Sequence, residues 1–509
     1  MSNACIPFLD GQIRAGRAER PAIVTTTSVT TYGELAGLAA RVAGALRGLG
    51  VEPEQRVALL LGDGPEWAAA FFGALRIGAV AVPLNTRLAR DDWVAMLEDS
   101  RAKVLIADAA HAAAIAAARE QLPALRFIVG VGVGAGPEPS FATLVAGARA
   151  VDEPERVGED DMAFWLYTSG TTGVPKAAVH LHRDLAACRH YGVEVLGAHD
   201  GDCVFATSKL FFAYALGNAL LIPLFVGART VLCPGWPDPE TTAAVVRQAR
   251  PTLFFSVPTF FARLLRSDLP ADTFRSVRHA VSAGEPLPAD IAAAWRERFA
   301  VEILDGLGAT ETIFMVLSNR PGAVRAGTVG IPVPGTEARL LDADGREVAD
   351  GEQGVLHVRT PSASPAYWRR RDQSRRAFVG EWFRTGDVCR RDADGYYRHG
   401  GREDDLFKVA GMWVAPADVE AALRSHPDVI DAGVVGAGDD AGLMKPVAFV
   451  VAAPAAADNG LVEALTAHVS RALPAHQRPR RIVLVPELPR TATGKLQRFV
   501  LKQRAAVET

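Results

Sequence analysis

Apolar and polar positions in the first 130 or so residues alternate between a helical and an extended period. In residues 33–49 the apolar side chains recur at the spacing of an amphipathic helix, and Gly50 provides a stop signal. Short apolar runs typical of buried strands lie at residues 56–61, 79–84, 104–108 and 126–131, and a second helical pattern lies at residues 67–77. The alternation predicts an α/β fold in which helices cover layered sheets.

The pattern changes after Gly400, where a polar turn (GREDD, residues 401–405) leads into a compact tail of domain size. The tail has helical patterns at residues 415–425 and 461–473, and strand patterns at residues 431–436, 445–452 and 481–484. We therefore predict a large amino-terminal α/β domain, residues 1–402, and a small carboxy-terminal α+β domain, residues 403–509.

Length and composition support this division. The chain has 509 residues, more than one hydrophobic core normally serves, with 49% hydrophobic and 22% charged residues. The net charge of −3 gives no clustered positive excess, so we expect neither a nucleic-acid partner nor a membrane partner. The five cysteines are scattered and form no Cys-x-x-Cys pair, and no signal peptide or bilayer-spanning run is present, so we expect a cytoplasmic protein.

A run of hydroxyl and glycine residues is the strongest local signal. It lies within YTSGTTGVPKAAVHLH, residues 167–182, between two strand patterns. Glycines let backbone N–H groups turn toward an anion, hydroxyls add donors and lysine adds charge, so the run predicts a polyphosphate cradle. It is not a Walker A loop, because the glycine–lysine spacing differs and a strand follows instead of a helix. The predicted cradle comprises Thr168, Ser169, Gly170, Thr171, Thr172, Gly173 and Lys176.

This segment resembles the signature loop of the adenylate-forming superfamily, which includes acyl- and aryl-CoA ligases, nonribosomal-peptide adenylation domains and firefly luciferase. Further segments resemble motifs of that family in the same order: SAGEPLP at 282–288, DGLGATET at 305–312, FRTGDV at 383–388, GREDDLFKVAGMWVAP at 401–416 and PRTATGKLQR at 489–498. The resemblance implies a large α/β domain with a small mobile domain. It also implies ATP-dependent activation of a carboxylic acid as an acyl-adenylate, and transfer of the acyl group to the thiol of coenzyme A.

Roles for single residues follow from the same resemblance. Thr310 would donate to the α-phosphate, and Glu311 would hold Mg²⁺. The catalytic Lys495 would bridge the substrate carboxylate and the α-phosphate, offsetting the repulsion between two anions. The other residues implied to bind ATP are Gly284, Glu285 and Pro286 beside the adenine, Asp305, Asp387 on the ribose hydroxyls, and Arg402.

The resemblance also implies a hinge and a path for the thiol. Asp404 would be the pivot on which the small domain rotates, since hinges absorb backbone change in a few linker residues. After that rotation, the segment from Lys408 to Gly411 would line the thiol tunnel.

The acid substrate is indicated by KLFFAYALGNAL, residues 209–220, which resembles the corresponding segment of benzoate–coenzyme A ligases. In those enzymes the pair equivalent to Ala213 and Tyr214 lines a flat pocket for an aryl ring. Further walls implied by the resemblance are Ala283, Gly306 and Ile313. Benzoate ligases tend to carry a histidine shortly after the glutamate of the adenylate motif, whereas this chain reads Thr-Ile-Phe-Met at residues 312–315. The sequence predicts a small aryl acid, with benzoate, anthranilate and salicylate as candidates.

Three other interpretations compete with this one. A free-standing adenylation enzyme that loads a carrier protein shares the first half-reaction, so the motifs leave it open. A catalytically dead, binding-only relative is disfavoured by the intact Lys495, Glu311 and Asp387. A dinucleotide-binding fold, suggested by the glycines at residues 129–137, is excluded because the Gly-x-Gly-x-x-Gly spacing fails.

Overall fold

The computed structural model describes residues 3–132, 139–169, 175–410, 412–438, 443–453, 460–490 and 496–507. The chain forms two compact units. The first contains residues 1–338 and 358–383, and the second contains residues 339–357 and 384–509.

Two large sheets form the framework of the first unit. In a six-stranded sheet the spatial order of strands is Phe127–Val131, Val104–Asp108, Arg56–Leu60, Val80–Pro83, Met162–Ser169 and Pro175–Leu181. All neighbours in it are parallel except the last two, which form an antiparallel hairpin. In a nine-stranded sheet the order is Ile331–Pro332, Met315–Ser318, Ile303–Gly308, His279–Ser282, Leu253–Ser256, Cys203–Ala206, Arg229–Val231, Pro21–Val24 and Val29–Thr31.

Helices cover these sheets, as the alternating pattern predicts. The longer helices of the first unit are Tyr32–Gly48, Pro65–Arg76, Arg90–Ser100, Ala109–Ala116, Pro239–Ala249, Pro258–Arg266 and Ala289–Phe299; shorter ones are Cys5–Phe8, Asp10–Arg14, Phe141–Ala146, Cys188–Gly192, Ala213–Ala215, Ile222–Val226 and Arg371–Ala377, with a π-helical turn at Leu216–Leu221. The first long helix begins with a capping box, in which Thr31 and Glu34 each bond the other's backbone N–H. Trp67, Phe71 and Phe72 project from the next helix into the largest hydrophobic core.

The strands between residues 337 and 402 form a five-stranded sheet, made of Glu337–Leu341, Gln353–Arg359, Trp382–Arg391, Phe378–Val379 and Tyr397–Arg402. The rest of the second unit has a two-stranded sheet, Phe407–Val409 with Met412–Val414, and a three-stranded sheet, Val429–Gly438, Met444–Ala452 and Arg481–Leu484. Its helices are Pro416–Arg424, Leu461–Ala472 and Arg498–Val507.

The predicted architecture, a large amino-terminal α/β part followed by a smaller α+β part, is confirmed. The compact units differ from the predicted domains in one respect, because residues 339–357 and 384–402 cluster with the carboxy-terminal segment. The boundary after residue 402 stays a prediction about which segments move together. Within the described ranges, no helix combines the length and apolar character that crossing a bilayer requires.

Gly44 marks a close approach between a helix and a neighbouring loop. A Cβ atom at this position would lie 1.8 Å from the carbonyl oxygen of Arg149, so only glycine fits without a backbone shift. A Cβ atom on Gly37, in the same helix, would lie 3.6 Å from the Arg41 guanidinium, which is an ordinary contact.

We therefore expect Gly44→Ala to lower the free energy of unfolding by about 1–3 kcal/mol through overpacking. Gly37→Ala is the matched control and should gain about 0.5–1 kcal/mol from helix propensity. Thermal unfolding of both variants checks this. A Tm for Gly44→Ala equal to or above that of Gly37→Ala would contradict the proposed close approach.

Candidate active site

The hairpin predicted to cradle phosphates is present as two paired strands. Met162–Ser169 and Pro175–Leu181 are antiparallel, with Thr168 opposite Lys176. Of the predicted cradle, Gly170, Thr171, Thr172 and Gly173 lie outside the described residues, and only the backbone of Ser169 is described. The predicted Gly411 and Lys495 also lie outside them.

Lys176 and Glu311 lie close together at the loop end of this hairpin. The Lys176 Nζ atom is 4.0 Å from Glu311 Oε1 and 3.9 Å from the centre of the Tyr367 ring. The Tyr367 hydroxyl donates a 2.6 Å hydrogen bond to the same carboxylate oxygen. Glu311 is only 8% exposed, so the charge of its carboxylate depends on these two neighbours. The structure thus brings together two residues that the sequence assigned to different motifs.

His180 connects the hairpin to the turn that carries Glu311. Its ring is fully buried and stacks on Phe164, with ring centres 4.9 Å apart. Nε2 lies 2.9 Å from the carbonyl oxygen of Thr310, and Nδ1 lies 3.2 Å from the carboxylate of Asp184. This bridge fixes the backbone of Thr310, the residue predicted to meet the α-phosphate.

The turn after Glu311 is strained. Ile313 has a φ of 58° and a ψ of −54°, and the N–H of Phe314 donates to the carbonyl of Thr312 at 2.6 Å, which defines a tight γ-turn. A positive φ is costly for a β-branched residue and persists only where the surroundings enforce it. One such restraint is a 2.7 Å hydrogen bond from the Ser362 hydroxyl to the Thr312 carbonyl.

The residues predicted to form the acid pocket largely share one core. Ala213, Ala283 and Ile313 belong to the same buried cluster, with Tyr214 packed against it. The Tyr214 hydroxyl is 2.9 Å from the Val281 carbonyl and 3.1 Å from that of Ser256, so it is anchored to the ends of two strands.

Gly306 and Gly217 leave no room for a side chain at this core. A Cβ on Gly306 would lie 2.8 Å from the Leu317 carbonyl. A Cβ on Gly217 would lie 3.0 Å from the ring of Phe314. Phe314 therefore packs directly on the segment that carries Tyr214, at a position the sequence analysis did not assign to the pocket.

Two of the predicted nucleotide motifs lie side by side. Ser282 and Asp305 are direct partners on neighbouring parallel strands, and Gly284, Glu285 and Pro286 follow the first of these strands. Gly284 has a φ of 93°, a conformation that favours glycine. Burial raises the pKa of Asp305 to about 8, and its Oδ1 atom has no hydrogen-bond partner among the described residues. The two predicted nucleotide motifs therefore meet at adjacent strand ends, beside a buried carboxyl.

The second unit contains a separate polar cluster around Asp387. Its Oδ1 atom accepts hydrogen bonds from Arg402 at 3.2 Å and from His399 at 3.1 Å. Asp387 and Arg402 face each other across an antiparallel strand pair, which explains why two distant motif residues meet.

The predicted hinge and thiol-tunnel residues are also in the second unit. Asp404 lies in a short 3-10 turn, Glu403–Asp405, and its carbonyl accepts a hydrogen bond from Lys502 at 3.2 Å. Lys408 is exposed, with its ammonium 4.6 Å from the centre of the Trp413 ring.

Comparison with known proteins identifies the family of the chain. A family model described as AMP-binding enzyme matches residues 11–368, and the carboxy-terminal domain of the AMP-binding enzymes matches residues 418–495. The chain belongs to the AMP-binding enzyme family.

Individual relatives agree with this assignment. A 4-hydroxybenzoate–CoA/benzoate–CoA ligase of Rhodopseudomonas palustris is 42% identical over 98% of this chain and 94% of its own length. A solved benzoate CoA ligase from Burkholderia xenovorans has 42% identity and a TM-score of 0.91 over 98% of this chain and 99% of that one. An anthranilate CoA ligase, solved with anthranoyl-AMP, has 39% identity and a TM-score of 0.94. The match covers 99% of this chain and 97% of that one. The predicted resemblance to benzoate–CoA ligases and the predicted AMP-forming aryl-CoA ligase activity are confirmed.

Three residues in contact with the predicted site, Tyr367, His180 and Phe314, have no role predicted from the sequence. Tyr367 lies in none of the recognised motifs, and no local pattern identified it. His180 lies inside the quoted hairpin segment, but its alternation with Val179 and Leu181 gives no reason to expect a buried side chain. Phe314 was noted only as a departure from the histidine of benzoate ligases.

The buried carboxyl of Asp305 gives a pH-dependent prediction. Its pKa is about 8 when folded and near 3.8 when exposed, so between these values the folded chain holds one proton more than the unfolded chain. The free energy of unfolding therefore falls as pH rises through this window. Asp305→Asn stays neutral, so its Tm relative to wild type should rise between about pH 5 and about pH 8.

Asp268→Asn, which neutralises an exposed carboxylate, is the control for a change in net charge. Thermal unfolding at several pH values measures both differences. A wild-type to Asp305→Asn difference that stays constant with pH would contradict the raised pKa.

Proposed function

We propose that this aryl-CoA ligase activates a small aromatic acid at the Lys176–Glu311 cluster, beside the core that contains Ala213, Ala283 and Ile313. The observation that carries the proposal is the shared turn. Residues 310–313 present Thr310 and Glu311 at one end and Ile313 at the other. The residues proposed to bind phosphate and the residue proposed to contact the acid are therefore within four positions of each other.

In the first step, a carboxylate oxygen attacks the α-phosphorus of ATP. The bond from that phosphorus to the bridging β-phosphate oxygen breaks, giving acyl-AMP and pyrophosphate. The enzyme contributes mainly positioning and neutralisation of charge. Lys176 supports the transferred phosphates, and Thr310 donates to the α-phosphate. In the second step, the thiol sulfur of coenzyme A attacks the acyl carbon and AMP leaves.

Glu311 would hold Mg²⁺, which would neutralise phosphate charge. Mg²⁺ is usually bound through one or two carboxylates together with substrate phosphates. The described residues fit that mode, since they contain a buried carboxylate at the site and no group of three or more His, Cys, Asp or Glu side chains able to enclose a metal.

Residues of the carboxy-terminal segment complete the proposal. Lys495 would bridge the substrate carboxylate and the α-phosphate during adenylation, and Asp387 and Arg402 would hold the ribose. Rotation about Asp404 would then replace Lys495 by the Lys408–Gly411 segment, which would guide the thiol.

Lys495→Ala should reduce acid-dependent pyrophosphate exchange by roughly a hundredfold or more, because a positioned charge at the reacting oxygens is lost. ATP binding should change little. Nucleotide titration and exchange assays measure the two effects, with Lys445→Ala as a control for loss of a lysine in the same unit. Exchange at the wild-type rate would remove the catalytic assignment of Lys495.

We further propose that the acid carries a small ring, with benzoate and 2-substituted acids such as anthranilate and salicylate as candidates. The apolar core around Tyr214 and Phe314 supports a flat ring. The named activities of the relatives, on benzoate, hydroxybenzoates and anthranilate, support the same class.

A panel of benzoate, anthranilate, salicylate and octanoate tests this assignment. We expect kcat/KM for the best aryl acid to exceed that for octanoate by about a hundredfold, since the proposed apolar pocket would accept a flat ring better than a flexible chain. Coenzyme A-dependent thioester formation without any carrier protein should accompany turnover. Fastest turnover of octanoate would contradict the aryl assignment, and adenylation without thioester release to coenzyme A would favour carrier loading.

We also place the enzyme in the cytoplasm. All five cysteines are free and buried, and burial raises the pKa of Cys5 to about 12, so the chain depends on no disulfide.

A further inference from the structure

Tyr367 contacts both charged side chains of the phosphate site. Its hydroxyl donates to Glu311 Oε1 at 2.6 Å, and its ring face lies 3.9 Å from the Lys176 ammonium. The side chain is only 4% exposed. One residue therefore touches the carboxylate and the cation at once, through two different parts of its side chain.

The backbone around Tyr367 is fixed to the hairpin that carries Lys176. Residues 178 and 367 form an isolated β-bridge. The Trp368 N–H donates to the Ala177 carbonyl at 2.9 Å, and the Val179 N–H donates to the Ala366 carbonyl at 3.1 Å. The phenol is thus held by the same strand that positions Lys176.

The same segment is also attached to the turn that carries Glu311. The Ser364 N–H donates to the Glu311 carbonyl at 2.8 Å, and the Tyr367 N–H donates to the Ser374 hydroxyl at 3.0 Å. The Tyr367 ring packs against Phe378, with ring centres 5.2 Å apart. These restraints fix the phenol independently of any bound nucleotide.

The contacts have a clear electrostatic effect. A lysine and a glutamate free to pair directly would approach to about 2.8 Å, and their charges would then largely cancel. Here the ammonium rests on the ring face through a cation–π contact, and the carboxylate takes a neutral donor, so the two charges are 4.0 Å apart. The phenol thus sets the distance and the orientation of the two charged groups relative to each other.

We propose that Tyr367 is a positioning residue that holds Lys176 and Glu311 apart in orientations suited to the polyphosphate and its cation. The proposal rests on the proposed roles of Lys176 and Glu311. It predicts that the hydroxyl and the ring of Tyr367 contribute separately, because the hydroxyl bonds Glu311 and the ring contacts Lys176.

Two substitutions separate these contributions. Tyr367→Phe keeps the ring and removes the hydroxyl, so we expect kcat for acid-dependent pyrophosphate exchange to fall roughly tenfold or more and the Mg²⁺ concentration for half-maximal exchange to rise. Tyr367→Leu also removes the ring face. It should in addition weaken binding of a fluorescent ATP analogue, measured by titration without acid, by roughly fivefold or more relative to Tyr367→Phe.

Tyr32→Phe is the matched control. The Tyr32 side chain is fully buried, and its hydroxyl donates to the Ala228 carbonyl at 2.6 Å, far in sequence from the site. It should lose thermal stability while its kinetics and Mg²⁺ dependence remain those of wild type.

The outcomes distinguish the inference from the function on which it rests. If the wild-type protein shows no Mg²⁺-dependent pyrophosphate exchange with any acid, the proposed function itself is overturned. If the wild type is active and the Tyr367→Phe variant loses only thermal stability, as Tyr32→Phe does, the positioning role is overturned. An ATP-analogue affinity equal in Tyr367→Leu and Tyr367→Phe would overturn the part assigned to the ring.

Discussion

The described part of the candidate site is arranged around one buried carboxylate, that of Glu311, which lies beside a lysine ammonium and a phenol hydroxyl. Burying a charge is costly unless hydrogen bonds or an opposite charge offset the loss of water. At Glu311 the offset comes from a phenol at 2.6 Å and an ammonium at 4.0 Å.

The surrounding backbone is strained in the same place. The positive φ of Ile313 is held by bonds to the residue before it, since the Phe314 N–H and the Ser362 hydroxyl share the carbonyl of Thr312. His180 holds the carbonyl of Thr310. Separate segments therefore restrain a turn of four residues. Such restraint suits the proposed roles of Thr310 and Glu311, which require a fixed geometry while large anions bind and leave.

The elements of the fold were predictable because each depends on a local period. The helix expected at residues 33–49 is Tyr32–Gly48. The prediction for Glu311 rests likewise on a contiguous stretch of sequence, the motif at residues 305–312. Tyr367 was not predictable in this way, since it lies 56 residues from Glu311 and the two meet only when its segment pairs with the hairpin. The strain at Ile313 was not predictable from the sequence, because a β-branched residue disfavours a positive φ. The local preference of isoleucine predicts a negative φ, whereas the structure has a positive one.

The pocket walls also bear on selectivity. Tyr214 directs its hydroxyl to the carbonyls of Ser256 and Val281, so in the proposed pocket the acid would meet its ring and not its polar end. Phe314 packs on Gly217 and would add a second apolar face to the proposed pocket. An apolar wall discriminates by size and shape, and each methylene-sized change is worth only about 1–3 kcal/mol. Such a surface separates rings from chains better than it separates one ring from another. The same physics is consistent with a relative named for two acids, 4-hydroxybenzoate and benzoate.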